Sequence, residues 1–140
     1  MKLGKPRTSK GLAVFCARIA DIKIAENIQI LDLTAIEAAV TDYFVICSCL
    51  SEAQMRAVNN EISASCRMNK MPQPRVEGEE SSQWIIMDFF DVVIHLFRPE
   101  ARDFYQLERL WGDAKFFNIS PDGKAVRFKA QSKSTSEKKK

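Results

Sequence analysis

The chain has 140 residues, enough for one domain around one core and too few for two. Its apolar share of 46% is ordinary for a globular protein, no apolar run is long enough to span a bilayer, and no apolar signal core follows the basic N-terminus; a cytoplasmic protein without membrane contact is expected. The net charge of +3 hides a division: basic residues crowd positions 1–10 and the stretch from Lys115 onward, leaving a body with nine basic and sixteen acidic residues.

Basic ends on an acidic body suit nucleic-acid contact at the ends and a basic partner for the body, with plain solubilising tails as the alternative. Cys16, Cys47, Cys49 and Cys66 contain no C-x-x-C pair, and the lone His95 is far from all of them. Structural zinc sites draw their ligands from close pairs, so buried free thiols are expected and no metal. Cys47 and Cys49, two apart, fit one face of a strand as small core residues.

Residues 1–10 form a basic arm. Ser9 is placed to cap a first helix carrying Leu12, Phe15, Cys16, Ile19 and Ile22 at helical spacing. Residues 28–33 read as a strand, and the nearly all-apolar run 43–47 as a strand covered on both faces. Ser51 and Gln54 have the spacing of a capping box, ahead of a helix with Met55, Val58, Ile62 and Cys66 on one stripe. Pro72 and Pro74 end that helix, and residues 74–77 suit a short edge strand. Two longer strands, about 84–89 and 91–97, come next.

Pro99 fits the first turn of a last helix, with Glu100 and Asp103 near its positive end. Phe104, Leu107, Leu110 and Trp111 form its apolar stripe, Phe104 and Leu107 being assigned to the core, and Gly112 stops it. The domain is predicted over 11–117: α/β, with a mixed sheet of about five strands packed by helices. Residues 118–140 read as a basic tail holding a turn signal at 120–123 and a short run at 125–128. Its QSKSTSEKKK end is too polar to order alone.

A hairpin turning at Phe89-Phe90 sets Asp88 opposite Asp91, Met87 opposite Val92, Ile86 opposite Val93, Ile85 opposite Ile94 and Trp84 opposite His95. One face is then wholly apolar: Ile85, Met87, Val92, Ile94 and Leu96. The other carries Trp84, Ile86, Asp88, Asp91, Val93, His95 and Phe97, the mixture of a recognition surface. Phe-Phe is poor at the positive φ of a two-residue turn, so a wider turn is an alternative, and a one-residue slip would exchange the faces.

Facing carboxylates could hold a divalent metal for phosphoryl or nucleotidyl transfer, but no Gly-rich phosphate cradle accompanies them. Solvated hairpin charges are a second reading. A basic partner that neutralises Asp88 and Asp91 is the reading favoured. His95 has no nucleophile beside it in sequence and reads as a strand histidine rather than a catalyst. Trp84, Arg102, Arg109 and Trp111 are the residue types that dominate interface energetics.

The ordered series of residues 26–33, 42–47, 75–78, Trp84, Asp88, 91–97 and 100–111 resembles the RsfS/Iojap family of ribosomal silencing factors over about residues 11–115. The chain departs from the family pattern at Ser48-Cys49-Leu50, where Gly-containing small residues are usual, and at Phe90, where Gly is usual. The resemblance implies a nucleotidyltransferase-like fold without its catalytic site, a non-enzyme with no cofactor, and a translation repressor acting in nutrient limitation. It implies binding to the large ribosomal subunit through ribosomal protein fourteen, blocking small-subunit joining. Asp88, Asp91 and Glu100 would meet basic groups of that partner. Trp84, His95 and Arg102 would supply shape and hydrogen bonds, and Arg109 and Trp111 would lie in or beneath the interface. The basic termini could touch ribosomal RNA, and the free protein could form a homodimer. A large-subunit assembly factor without repression, and a metal-dependent transferase using Asp88 and Asp91, are the alternatives.

Overall fold

The computed structural model describes residues 4–81 and 83–128. In chain order these are α1 (Ser9–Ile22), β1 (Glu26–Asp32), β2 (Tyr43–Ser48), α2 (Glu52–Met68), β3 (Arg75–Glu77), β4 (Trp84–Asp88), β5 (Val92–Phe97), α3 (Pro99–Tyr105), α4 (Leu107–Leu110), β6 (Lys115–Ile119) and β7 (Ala125–Phe128). The strands form one sheet in the order β3-β4-β5-β2-β1-β6-β7. Every neighbouring pair is antiparallel except β2 with β5. None of the described helices is long and apolar enough to cross a membrane.

The α/β class with a mixed sheet is as expected, but the sheet has seven strands rather than five. The additional two are β6 and β7, which pair around a turn where Gly123 takes φ 86° and join the sheet at β1. Residues 118–128, read from the sequence as tail, therefore belong to the sheet. Phe116 and Phe128 supply the reason, since both side chains pack on one face with Leu31 and Leu33. The QSKSTSEKKK segment lies outside the described residues.

Alternation sorts the central strands between two cores. Tyr43, Val45 and Cys47 of β2, with Val92, Ile94 and Leu96 of β5, face α1 and α2, whose Phe15, Ile19, Met55, Val58 and Ile62 close over them. All four cysteines are free and buried in this layer. Burial pushes the Cys16 and Cys66 thiols up, which keeps them protonated and inert. Phe44, Ile46 and Phe97 point to the opposite face, whose cover is thinner: the short α3 and α4 and the connection 33–42.

The helix termini differ in detail from expectation. Thr8, not Ser9, caps α1, its Oγ1 accepting from Gly11 N–H at 2.9 Å. Ser51 accepts from Gln54 N–H as a capping box requires, but Gln54 Oε1 reaches one residue further back, to Leu50 N–H at 2.7 Å. The last helix is not continuous. Gln106 takes φ 49° and ψ 55° and divides it into α3 and α4, so the expected stripe is broken and Phe104 is 78% exposed rather than in the core. The break lets Glu108 meet Arg102, six residues away. A continuous helix would turn the two to different sides.

At the end of α1, Ile24 N–H donates to Asp21 C=O and Ala25 N–H to Ala20 C=O, a closure that needs one left-handed residue. That residue is Ile24, at φ 68° and 71% exposed. A β-branched side chain is disfavoured there, and little burial offsets the cost. Ile24→Gly is expected to raise stability by about 0.5–1 kcal/mol. It would show as a higher urea midpoint at unchanged slope; a lower midpoint would refute it.

A candidate recognition face on the sheet

The turn between β4 and β5 fixes the register of the candidate residues. It holds three residues, not two: Phe89 N–H donates to Val92 C=O and Asp91 N–H to Phe89 C=O. The pairs are therefore Trp84 with Phe97, Ile85 with Leu96, Ile86 with His95, Met87 with Ile94 and Asp88 with Val93. This differs by two residues from the expected register, an even slip, so the faces stay as expected: Ile85, Met87, Val92, Ile94 and Leu96 are all buried in the helix-covered core. Asp88 and Asp91 do not face each other across the ladder, so the expected pairing of their carboxylates is not formed.

The other face is aromatic. Trp84 stacks on Phe97 at 4.8 Å between ring centroids and meets Tyr105 at 4.6 Å with the rings tilted. Its indole Nε1–H donates to Nδ1 of His95 at 3.1 Å, a diagonal contact between neighbouring strands. His95 is 6% exposed, and burial lowers its pKa to about 4, so at neutral pH it is an uncharged imidazole. Accepting at Nδ1 leaves its proton on Nε2, which is buried with no hydrogen-bond partner among the described residues. The Phe44 ring stands edge-on to the imidazole at 4.6 Å and meets Trp111 at 5.9 Å.

Arg102 lies under this face. Its Nε and one terminal nitrogen meet Glu108 Oε2 at 2.7 and 2.6 Å, and the other donates to Ser48 Oγ at 2.9 Å. The side chain is buried and links α3, α4 and β2. Glu100 and Arg109 are exposed, and Arg109 donates to Gln106 at 3.3 Å. The structure thus brings Trp84 and His95 into direct contact and sets Arg102 beneath the surface. Asp88 and Asp91 sit at the turn, away from the Trp84 end of β4.

Cross-strand pairing aligns Asp88, Val93, Phe44, Leu31, Phe116 and Phe128 in one row across six strands. Near the Asp88 end of that row a recess of about 390 Å³ opens, walled mostly by Leu33, Ala39, Phe44, Val93 and Trp111. Phe90 and Val40 also line it, 79% and 94% exposed. Residue-by-residue reading of the sequence missed Phe44, Tyr105, Phe90 and Val40. Phe90 alone left a signal, as the aromatic residue in a glycine position.

Comparison with known proteins identifies the family. A family model described as "Ribosomal silencing factor during starvation" matches residues 6–140. The chain is 38% identical over 110 residues to the ribosomal silencing factor RsfS of Bacillus subtilis, covering 79% of this chain and 92% of that one. To the RsfS of Halalkalibacterium halodurans it is 34% identical over 107 residues, 76% and 91% of the two chains. A crystal structure from Bacillus halodurans aligns with TM-score 0.63 at 32% identity, covering 74% of this chain and 95% of its own. One from Chromobacterium violaceum shares the fold at TM-score 0.70 and 24% identity, covering 76% and 88%. The chain therefore belongs to the RsfS family of ribosomal silencing factors.

Proposed function

We propose that this protein binds the large ribosomal subunit in the cytoplasm through ribosomal protein fourteen and represses translation by blocking small-subunit joining, without catalysis. The observation that carries the reading is the thinly covered sheet face of a silencing-factor family member. At one end the half-buried Trp84 and the exposed Tyr105, set on the buried Phe97 and the uncharged His95, are aromatic groups of the kind that anchors protein interfaces, and the carboxylates of the β4–β5 turn lie at the other end. Asp88, Asp91 and Glu100 complement a basic partner. Arg109 and Trp111 extend the surface, while Arg102 holds it from beneath. Lysines beyond Phe128 add a salt-sensitive contact to ribosomal RNA.

The test is co-sedimentation of the full chain with purified large subunits, followed by addition of small subunits, for wild type and Asp91→Lys. Asp91 is exposed, and its backbone carbonyl, which accepts from Asp42 and Tyr43 N–H, survives the substitution. Reversing the charge is expected to weaken binding by at least about tenfold and to restore subunit joining. If wild type fails to bind large subunits, the reading is wrong. If it binds and leaves joining intact, the protein is an assembly factor on that surface and not a silencer.

A further inference from the structure

Phe90 is held in a way that the fold itself does not use. Its φ is 78°, in the left-handed region that glycine enters freely and a phenylalanine does not. Both sides of its backbone are pinned: its N–H donates to Asp88 Oδ1 at 2.7 Å and its carbonyl accepts from Thr41 Oγ1 at 2.9 Å. The ring nevertheless stands 79% exposed, so burial within the chain does not offset the strain. Strain kept at an exposed aromatic group, on a backbone fixed from two strands' ends, presents that group to something else.

The surroundings state the chemistry of that partner. Phe90 and Val40 flank the recess walled by Phe44, Val93 and Trp111, and Asp88 also lines it. Asp91 follows Phe90, and Asp42 adjoins Thr41. The ion pairs among the described residues, Lys23–Glu61, Arg56–Glu52, Arg75–Glu77 and Arg102–Glu108, involve none of these three aspartates. Asp88 spends one oxygen on the turn and lies across the strands from Arg75. A second copy of the chain docking here by the same face would bring like charges together. A long basic side chain suits the site: its stem packs on aromatic and aliphatic walls while its head meets the carboxylates and the faces of Phe90 and Trp111.

We infer that the Phe90 turn and its recess form a docking site for an arginine or lysine side chain on a basic protein, with Phe90 as a rigid aromatic anchor. The inference rests on the large-subunit reading above and names how that partner is gripped. Dissociation constants for purified large subunits and thermal midpoints are compared for the full-length wild type, Phe90→Gly, Phe90→Ala and Ile24→Gly. Phe90→Gly is expected to have a midpoint no lower than wild type, because it relieves the turn, and yet to bind at least about tenfold more weakly. Phe90→Ala, which keeps the strained backbone and loses the ring, is expected to bind as weakly as Phe90→Gly. Ile24→Gly relieves a left-handed residue near the other end of β1 and is expected to bind as wild type does.

If wild type binds and both Phe90 variants bind within about twofold of it, the anchor is refuted while the large-subunit reading stands. If wild type does not bind, both fall. If the Phe90 variants change only the self-association of the free protein in sedimentation, the recess serves a second copy and the inference is overturned.

Discussion

Replacing Arg102 by alanine is expected to destabilise the protein by about 3–5 kcal/mol, the range for breaking a buried ion pair from one side. The guanidinium is buried, and each of its nitrogens has a partner: Nε and one terminal nitrogen meet Glu108, and the other meets Ser48 Oγ. Alanine would leave the Glu108 carboxylate half-buried without its counter-charge and the Ser48 hydroxyl without its donor. It would also remove the link that brings α4 back against α3 across the Gln106 break, so the loss should appear first as loosening of residues 99–111. Arg102→Lys should restore less than half, because an ammonium on a flexible stem cannot supply the fork that reaches both partners. Urea unfolding measures the loss, and a cycle with Glu108→Gln should show coupling of about 1–3 kcal/mol. A change within about 0.5 kcal/mol for Arg102→Ala would mean that this network is not structural, and that the arginine is available to a partner.

The sheet's two faces were legible in the sequence because alternation is local: Ile85, Met87, Val92, Ile94 and Leu96 declare one side whatever their partners are. Register was not, because it depends on the turn. Three residues rather than two fit between Asp88 and Val92, with Phe90 in a conformation that its side chain disfavours. The break at Gln106 was hidden for a different reason. The helical stripe of Phe104, Leu107, Leu110 and Trp111 is regular, and the interactions that favour the break, Arg102 with Glu108 and Trp84 with Tyr105, join residues whose proximity only the fold creates. Arginine's usual exposure likewise argued for Arg102 at the surface. The β6–β7 hairpin announced its turn but not its place in the sheet, since its basic composition outweighed the few aromatic residues that fasten it. The aromatic and acidic residue types of the face were readable. The nearness of Trp84 and His95 was readable too, although the expected register set them directly opposite and the structure joins them diagonally.

The burial of His95 gives the protein a pH dependence of stability with a defined sign. His95 is neutral in the fold, its pKa lowered to about 4 by burial, whereas an unfolded histidine titrates near about 6.5. Above that value both states are unprotonated and the stability is fully present. As the pH falls below it, the unfolded chain gains a proton that the folded chain refuses, and stability is lost until the folded pKa is reached. The loss over that window is about 3 kcal/mol. His95→Gln removes the titration, so its stability should fall less between pH 7 and pH 4 by about that amount, even though it begins lower because Trp84 Nε1–H loses a well-placed acceptor. Parallel stability curves for wild type and variant would refute the assignment. A wild-type imidazole whose nitrogen shifts show protonation near pH 6 would do so as well. The same neutrality bears on recognition: through the physiological range the buried His95 adds no charge beneath the face that would meet a basic partner. Its affinity for large subunits should therefore not change as the pH passes from 7.5 to 6, where an exposed histidine would gain a proton and repel the partner.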